Sequence, residues 1–310
     1  TTVNADKLYK GVRHPKPEIG PADWLGLSEA SRDEVRWYCA TYGYALPEGL
    51  SPTAAKAEPD WVGYVEGLHR LFLKPSGWLR ARQELRPVRN DGTALPWFTF
   101  GAIEFLSQIV RPHWNIFEYG AGFSTLWWQE AVATVTSVEH DGQWLEELRP
   151  RLSENSSVTL LQADAPVSAE AMPIVERFMA RPRRQTWTYD AARVVRRGLD
   201  DAGFQGYAAH ILESGARYDV VVIDGMARRL CAEFAVTALS DDGIIILDNS
   251  NRSDYDTAFD ILKEHRFRQI PFWGLVPGAD FLTCTSFFVR SLDGLPDGSH
   301  KPNTLKLPEY

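Results

Sequence analysis

At 310 residues, with 44% apolar and 24% charged side chains, the chain has the size and mixture of an ordinary globular protein: one large domain, or one domain with a substantial appendage. A net charge of −8 argues against unspecific attraction to nucleic acid, which runs on phosphate neutralisation. No apolar run reaches the roughly 18 residues of a membrane span, and Thr1-Thr2-Val3-Asn4 lacks a signal peptide's apolar core, so a cytoplasmic protein without membrane or nucleic-acid partners is expected.

Up to residue 94 the patterns are helical and contain no strand. They cover residues 29–42, 61–72 and 77–85, and a Pro-, Ala- and Lys-rich loop at 47–59 separates the first two. This N-terminal helical extension, residues 1–94, is expected to cap a substrate cleft, with Trp97 and Phe98 at the junction. From residue 95 to 310, short β-branched runs alternate with amphipathic helices, which is the signature of an α/β fold: a Rossmann-like, doubly wound, mostly parallel sheet. Strands are predicted at 115–119, 135–138, 158–162, 218–223 and 243–247, and within the last two the runs Val220-Val221-Val222-Ile223 and Ile244-Ile245-Ile246-Leu247 are apolar throughout, as in central strands buried on both faces. Two further strands, 267–272 and 284–290, flank Gly274-Leu275-Val276-Pro277-Gly278 and predict a closing antiparallel hairpin.

Between the third and fourth strands the connection is far longer than a crossover needs. It reads as an inserted helical segment over about 165–215, carrying Arg181, Arg183, Arg184, Arg193, Arg196 and Arg197. A lid touching an anionic or hydroxyl-rich acceptor and a solvated decoration are both compatible with it. Cys39, Cys231 and Cys284 are odd in number and far apart, which suits reduced thiols rather than a disulfide framework or zinc site.

The chemistry concentrates at strand ends. In Phe117-Glu118-Tyr119-Gly120-Ala121-Gly122-Phe123-Ser124-Thr125, Gly120 and Gly122 allow a tight turn and a close ligand approach. Ser124 or Thr125 is expected to cap the next helix, and Glu118 to accept hydrogen bonds from a cationic ligand. A dinucleotide site would want a third glycine or alanine where Thr125 stands, and no acid beside its pyrophosphate. Glu139 ends the second strand, where acids chelate a ribose diol, and Asp164 follows the third strand, beside the expected adenine.

This order of features, continued by Tyr218-Asp219-Val220-Val221-Val222-Ile223-Asp224-Gly225 and Gly243-Ile244-Ile245-Ile246-Leu247-Asp248-Asn249, resembles the class I S-adenosylmethionine-dependent methyltransferase family over residues 95–290. The resemblance implies S-adenosylmethionine as cofactor, bound by Glu118, Gly120, Gly122, Ser124, Thr125, Glu139, Asp164 and Asp224. The edge Asp224, Asp248 and Asn249 is similar to that of catechol-type O-methyltransferases, which implies Mg²⁺ on those three side chains and activation of an acceptor hydroxyl. Where such enzymes carry a lysine base, this chain has Ala227 followed by Arg228 and Arg229, which leaves Asp224 and the histidines His140 and His265 as proton acceptors. The expected function is O-methylation of a small molecule or glycan. A metal-independent N- or O-methyltransferase, a nicotinamide-dependent oxidoreductase and an aminopropyltransferase stand as alternatives, and homo-oligomerisation is left open.

Overall fold

The computed structural model describes residues 61–154, 157–162, 166–182 and 201–293, together with Arg32 and Arg36. The chain divides into two compact units, Thr1–Gly67 and Leu68–Tyr310. Most of the first unit, the helix expected at 29–42, Asp164, and the insert arginines other than Arg181 lie outside the described residues. Helix α1, Trp61–Leu68, runs on into a π-helical turn at His69–Leu73, which matches the helical pattern read at 61–72. Residues 68–94 belong to the second unit, which thus begins before the change of sequence character at residue 95. There α2, Trp78–Glu84, is anchored to a segment about 200 residues further along the chain: the Trp78 indole donates to the Ala279 carbonyl at 2.9 Å.

The second unit is built on a seven-stranded sheet. Its strands are β1 Asn115–Tyr119, β2 Thr134–Glu139, β3 Val158–Gln162, β4 Tyr218–Ile223, β5 Leu239–Leu247, β6 Arg268–Leu275 and β7 Leu282–Val289, in the order β3-β2-β1-β4-β5-β7-β6. β1 to β5 pair in parallel, and β7 runs antiparallel to both β5 and β6. This is the expected mostly parallel α/β sheet with its antiparallel hairpin. The hairpin is longer than its sequence suggests, because Gly274 and Leu275 stay paired with Thr283 and Leu282.

Alternation along the central strands, with its period of two, splits the core into two layers. Val220, Val222, Ile244 and Ile246 pack with Phe100, Ile103 and Leu106 of α3, Phe100–Ile109. On the other face, Val221, Ile223, Ile245 and Leu247 meet α6 (Met172–Met179), α7 (Gln205–Ala209), α8 (Arg228–Ala238) and α9 (Asp256–Glu264). A smaller cluster joins Phe123 and Leu126 of α4, Phe123–Trp128, to Leu145 and Leu148 of α5, Gly142–Leu148. Cys231 and Cys284 are buried and free. Among the described residues no helix is long and apolar enough to cross a membrane.

The insert contributes α6 and α7, and α6 is clamped in place. Buried Glu233 on α8 accepts from Arg177 at 2.6 Å and Arg181 at 3.0 Å, and Arg181 also pairs with Glu264 at 2.7 Å. The expected acceptor contact is therefore not seen at Arg181, whose guanidinium ties α6 to α8 and α9.

Candidate active site

The chain winds from β1 outward to β3, then crosses back to β4 on the other side of β1. That reversal opens a crevice at the carboxyl ends of β1 and β4, the place where doubly wound sheets hold ligands. A cavity of about 460 Å³ lies there, lined by Gly120, Ala121, Gly122 and Ser124 after β1, Glu139 and His140 after β2, and Asp224, Gly225 and Met226 after β4. Leu85, Arg86, Trp97, Glu147, Arg228 and Arg252 are also on its walls.

The glycine turn is shaped by backbone packing. Gly120 has φ +97°, and a Cβ there would sit 2.9 Å from the Gly225 backbone. Gly122 differs: a Cβ at this cavity-lining residue would meet nothing within 4 Å, so its hydrogen keeps ligand space open. Gly122, not Ser124 or Thr125, is the N-cap of α4. Thr125 is buried and folds back, its hydroxyl accepting from the Gly122 N–H at 2.9 Å and donating to Glu118. The loop is further held by the Trp144 indole, which donates to the Ala121 carbonyl at 2.7 Å.

Glu118 lies beneath this loop, fully buried, and is absent from the cavity wall. One oxygen accepts from Thr125 and Ser137, while Oε1 has no hydrogen-bond partner. Burial pushes its pKa up to about 7, against the opposing pull of the Ser124, Thr125 and Ser137 hydroxyls. Glu139 is better placed to meet a ligand. Its Oε1 takes the backbone N–H groups of His140 and Asp141 at 2.8 and 3.0 Å and the His140 Nδ1 at 2.5 Å, which leaves Oε2 for the cavity. The hydrogen bond that His140 Nδ1 donates to Glu139 raises the His140 pKa, and the imidazole packs edge-on to Phe204. His265 closes the C-terminal end of α9 and does not line the cavity.

At the end of β4 the dominant group is one that the sequence left unassigned. Arg228 is buried in the first turn of α8, and its guanidinium donates to three backbone carbonyls: Gly225 at 2.9 Å, Asp248 at 2.7 Å and Asp224 at 2.5 Å. It also pairs with Asp224 Oδ1 at 2.8 Å and lies over the Tyr255 ring. Burial raises the Asp224 pKa, and the charges of Arg228 and Arg252 oppose that shift. The turns carrying this cluster use left-handed backbone at Ala227 (φ 46°) and Asn249 (φ 49°), a strained geometry common at functional sites.

The three expected metal ligands are neighbours, but they do not form a donor set. Both carboxylate oxygens of buried Asp248 are taken, Oδ1 by the Thr285 hydroxyl and Oδ2 by the Asn249 amide, each at 2.6 Å. Asn249 turns its NH₂ to Asp248 and its oxygen toward Arg228. Burial first, then the charge of Asp224, push the Asp248 pKa up to about 7. Among the described residues no group of three His, Cys, Asp or Glu could hold an ion. Mg²⁺ on Asp224, Asp248 and Asn249 is thus not shown: in this structure a guanidinium supplies positive charge beside the paired carboxylates.

No protein-family model and no curated protein matches the chain. Solved structures resemble it more distantly. A methyltransferase from Pyrococcus furiosus is 12% identical at TM-score 0.40, over 73% of this chain and 99% of that one. The precorrin-6y C5,15-methyltransferase from Geobacter metallireducens GS-15 is 16% identical at TM-score 0.39, over 66% and 97%. The N-methyltransferase NodS from Bradyrhizobium japonicum WM9 is 13% identical at TM-score 0.36, over 61% and 90%. At such scores these likenesses carry no argument about activity, and the fold is defined by the strand order itself.

Proposed function

We propose that the chain is an S-adenosylmethionine-dependent methyltransferase that methylates an oxygen of a small molecule or glycan without a metal ion. The observation that carries this reading is one cavity joining an open glycine, Gly122, to a ribose-type acid, Glu139, and to Asp224 at the switch point of the sheet. When bound, the cofactor supplies an electrophilic methyl group on a sulfonium. Glu139 Oε2 would accept from the ribose diol, and the glycine turn would let the backbone come close. Thr125 and Ser137 keep buried Glu118 in place under the loop.

Asp224 has its Oδ1 fixed by Arg228, and its side chain is 25% exposed. In this proposal its Oδ2 would take the proton of the acceptor hydroxyl, whose oxygen would gain the methyl group as the methyl–sulfonium bond breaks and the sulfur leaves as a neutral thioether. Alignment of nucleophile and methyl carbon supplies most of the acceleration. Two features disfavour the alternatives. The Gly122 N–H is given to Thr125 and so is withheld from a dinucleotide's pyrophosphate. The cavity wall sets Arg86, Arg228 and Arg252 against Glu139, Glu147 and Asp224, without the acidic excess that the polyamine of an aminopropyltransferase would call for.

Calorimetry with S-adenosylhomocysteine tests the reading. Micromolar binding to the wild-type chain and a loss of roughly tenfold or more in Glu139→Ala are expected. Absence of binding to the wild type, with NADH binding instead, would overturn it.

A further inference from the structure

The cavity has a second end that the cofactor reading leaves unused. Its lining includes three arginines, of which Arg228 is committed to Asp224 and to backbone carbonyls. Arg86 and Arg252 are not so committed. Arg86 is exposed and its guanidinium has no partner among the described residues, while Arg252 gives a 3.3 Å contact to the Tyr255 hydroxyl and its charge also acts on Asp224. Beside them stand Trp97 and Leu85, 50% and 79% exposed, large apolar groups left in water at the rim of a cavity. Two guanidinium groups with no carboxylate hydrogen-bonded to them among the described residues, next to uncovered apolar surface, are complementary to a molecule with an apolar body and an anionic group.

The sheet places Arg252 away from the ribose end. Glu139 closes β2 and Arg252 follows β5, and in the order β2-β1-β4-β5 three interstrand steps separate them, roughly 14 Å. With Glu139 reserved for the ribose of the cofactor, the β5 side of the cavity would be left for an acceptor. We propose that Arg86 and Arg252 form an anion subsite for the acceptor, which is a hydroxylated, apolar-bodied carboxylate or phosphate resting on Trp97 and Leu85. This rests on the methyltransferase reading for the word acceptor, but the anion subsite itself does not depend on it.

The test is calorimetry of benzoate, phenyl phosphate and neutral benzamide with the full chain, with and without saturating S-adenosylhomocysteine. We expect at least one of the two anions to bind about tenfold tighter than benzamide. Arg86→Gln and Arg252→Gln should each remove most of that preference and leave S-adenosylhomocysteine affinity unchanged. Equal binding of both anions and the amide, or a preference that survives both substitutions, would overturn the subsite. Substitutions that weaken S-adenosylhomocysteine but not methylthioadenosine, which lacks the amino-acid carboxylate, would also overturn it, since the arginines would then hold the cofactor. If S-adenosylhomocysteine fails to bind at all while the anion preference persists, the function proposed above falls and the subsite stands.

Discussion

Arg228 and Asp224 are locked together twice, through a 2.8 Å side-chain ion pair and through a 2.5 Å hydrogen bond from the same guanidinium nitrogen to the Asp224 backbone carbonyl. The arginine thereby sets both the position of the carboxylate and the course of the turn after β4. Its other nitrogens reach Gly225 and Asp248, so one side chain joins the ends of β4 and β5.

Loss of that guanidinium strands the acids it serves. Arg228→Met should destabilise the protein by about 3–5 kcal/mol, the cost of leaving a buried charge without its partner. Arg228→Lys should recover only part, because an ammonium cannot fork to three carbonyls. Urea denaturation measures both, and a loss below about 1 kcal/mol for the methionine variant would show that the guanidinium does not hold this edge.

Gly120 and Gly122 should fail in different ways. Alanine at 120 meets the Gly225 backbone in a left-handed conformation and should cost about 1–3 kcal/mol of stability. Alanine at 122 has no protein atom within 4 Å and should change stability by less than about 0.5 kcal/mol. Its effect should fall on S-adenosylhomocysteine binding, weakened roughly tenfold. Thermal denaturation paired with calorimetry separates the two, and unchanged affinity in Gly122→Ala would remove this glycine from the binding surface.

Buried Glu118 makes stability depend on pH. Burial raises its pKa from the ordinary 4.5 to about 7, so the folded state holds this proton more tightly than the unfolded chain. The stabilisation is fully present below about 4.5 and is lost as pH rises through about 7, with a slope of at most about 1.4 kcal/mol per pH unit for this one proton. Glu118→Gln keeps the shape and removes the titration. Its stability relative to wild type should therefore rise between pH 5 and pH 8, as followed by urea denaturation, roughly in step with that slope. Parallel pH profiles would rule out the shift.

A divalent ion should be dispensable. Since Asp248 and Asn249 are hydrogen-bonded to each other and to Thr285, excess EDTA should leave the melting temperature and S-adenosylhomocysteine affinity unchanged. Titration with Mn²⁺ followed by electron paramagnetic resonance should show no saturable site. A stoichiometric Mn²⁺ signal lost in Asp248→Ala would restore the metal.

The Arg181–Glu233 pair is structural. Arg181→Ala should cost about 1–3 kcal/mol through the buried acid it leaves half-paired, with Arg177 still attached. A double-mutant cycle with Glu233→Ala reads their coupling directly. Additive losses would show that the contact does not hold α6.

Period and turn chemistry in the sequence alone determined the parallel strands, the closing hairpin and the placing of Gly120, Gly122, Glu139 and Asp224 at one edge. Those signals are local: apolar runs such as Val220-Val221-Val222-Ile223 are legible residue by residue, and a doubly wound sheet sends its strand ends to a common crevice. What the side chains at that edge do to one another was not legible. The chain showed acids at 224 and 248 and an amide at 249, a pattern that suits a metal, and only packing revealed that Arg228 turns inward to neutralise them while Thr285, from the distant β7, takes an Asp248 oxygen. The same holds for Glu118, apparent as an acid in the glycine loop but buried beneath it by Thr125 and Ser137. Sequence spacing places residues on elements; which partner a charge meets depends on contacts between elements far apart in the chain, and burial then makes that pairing decisive, because an unpaired charge there is costly.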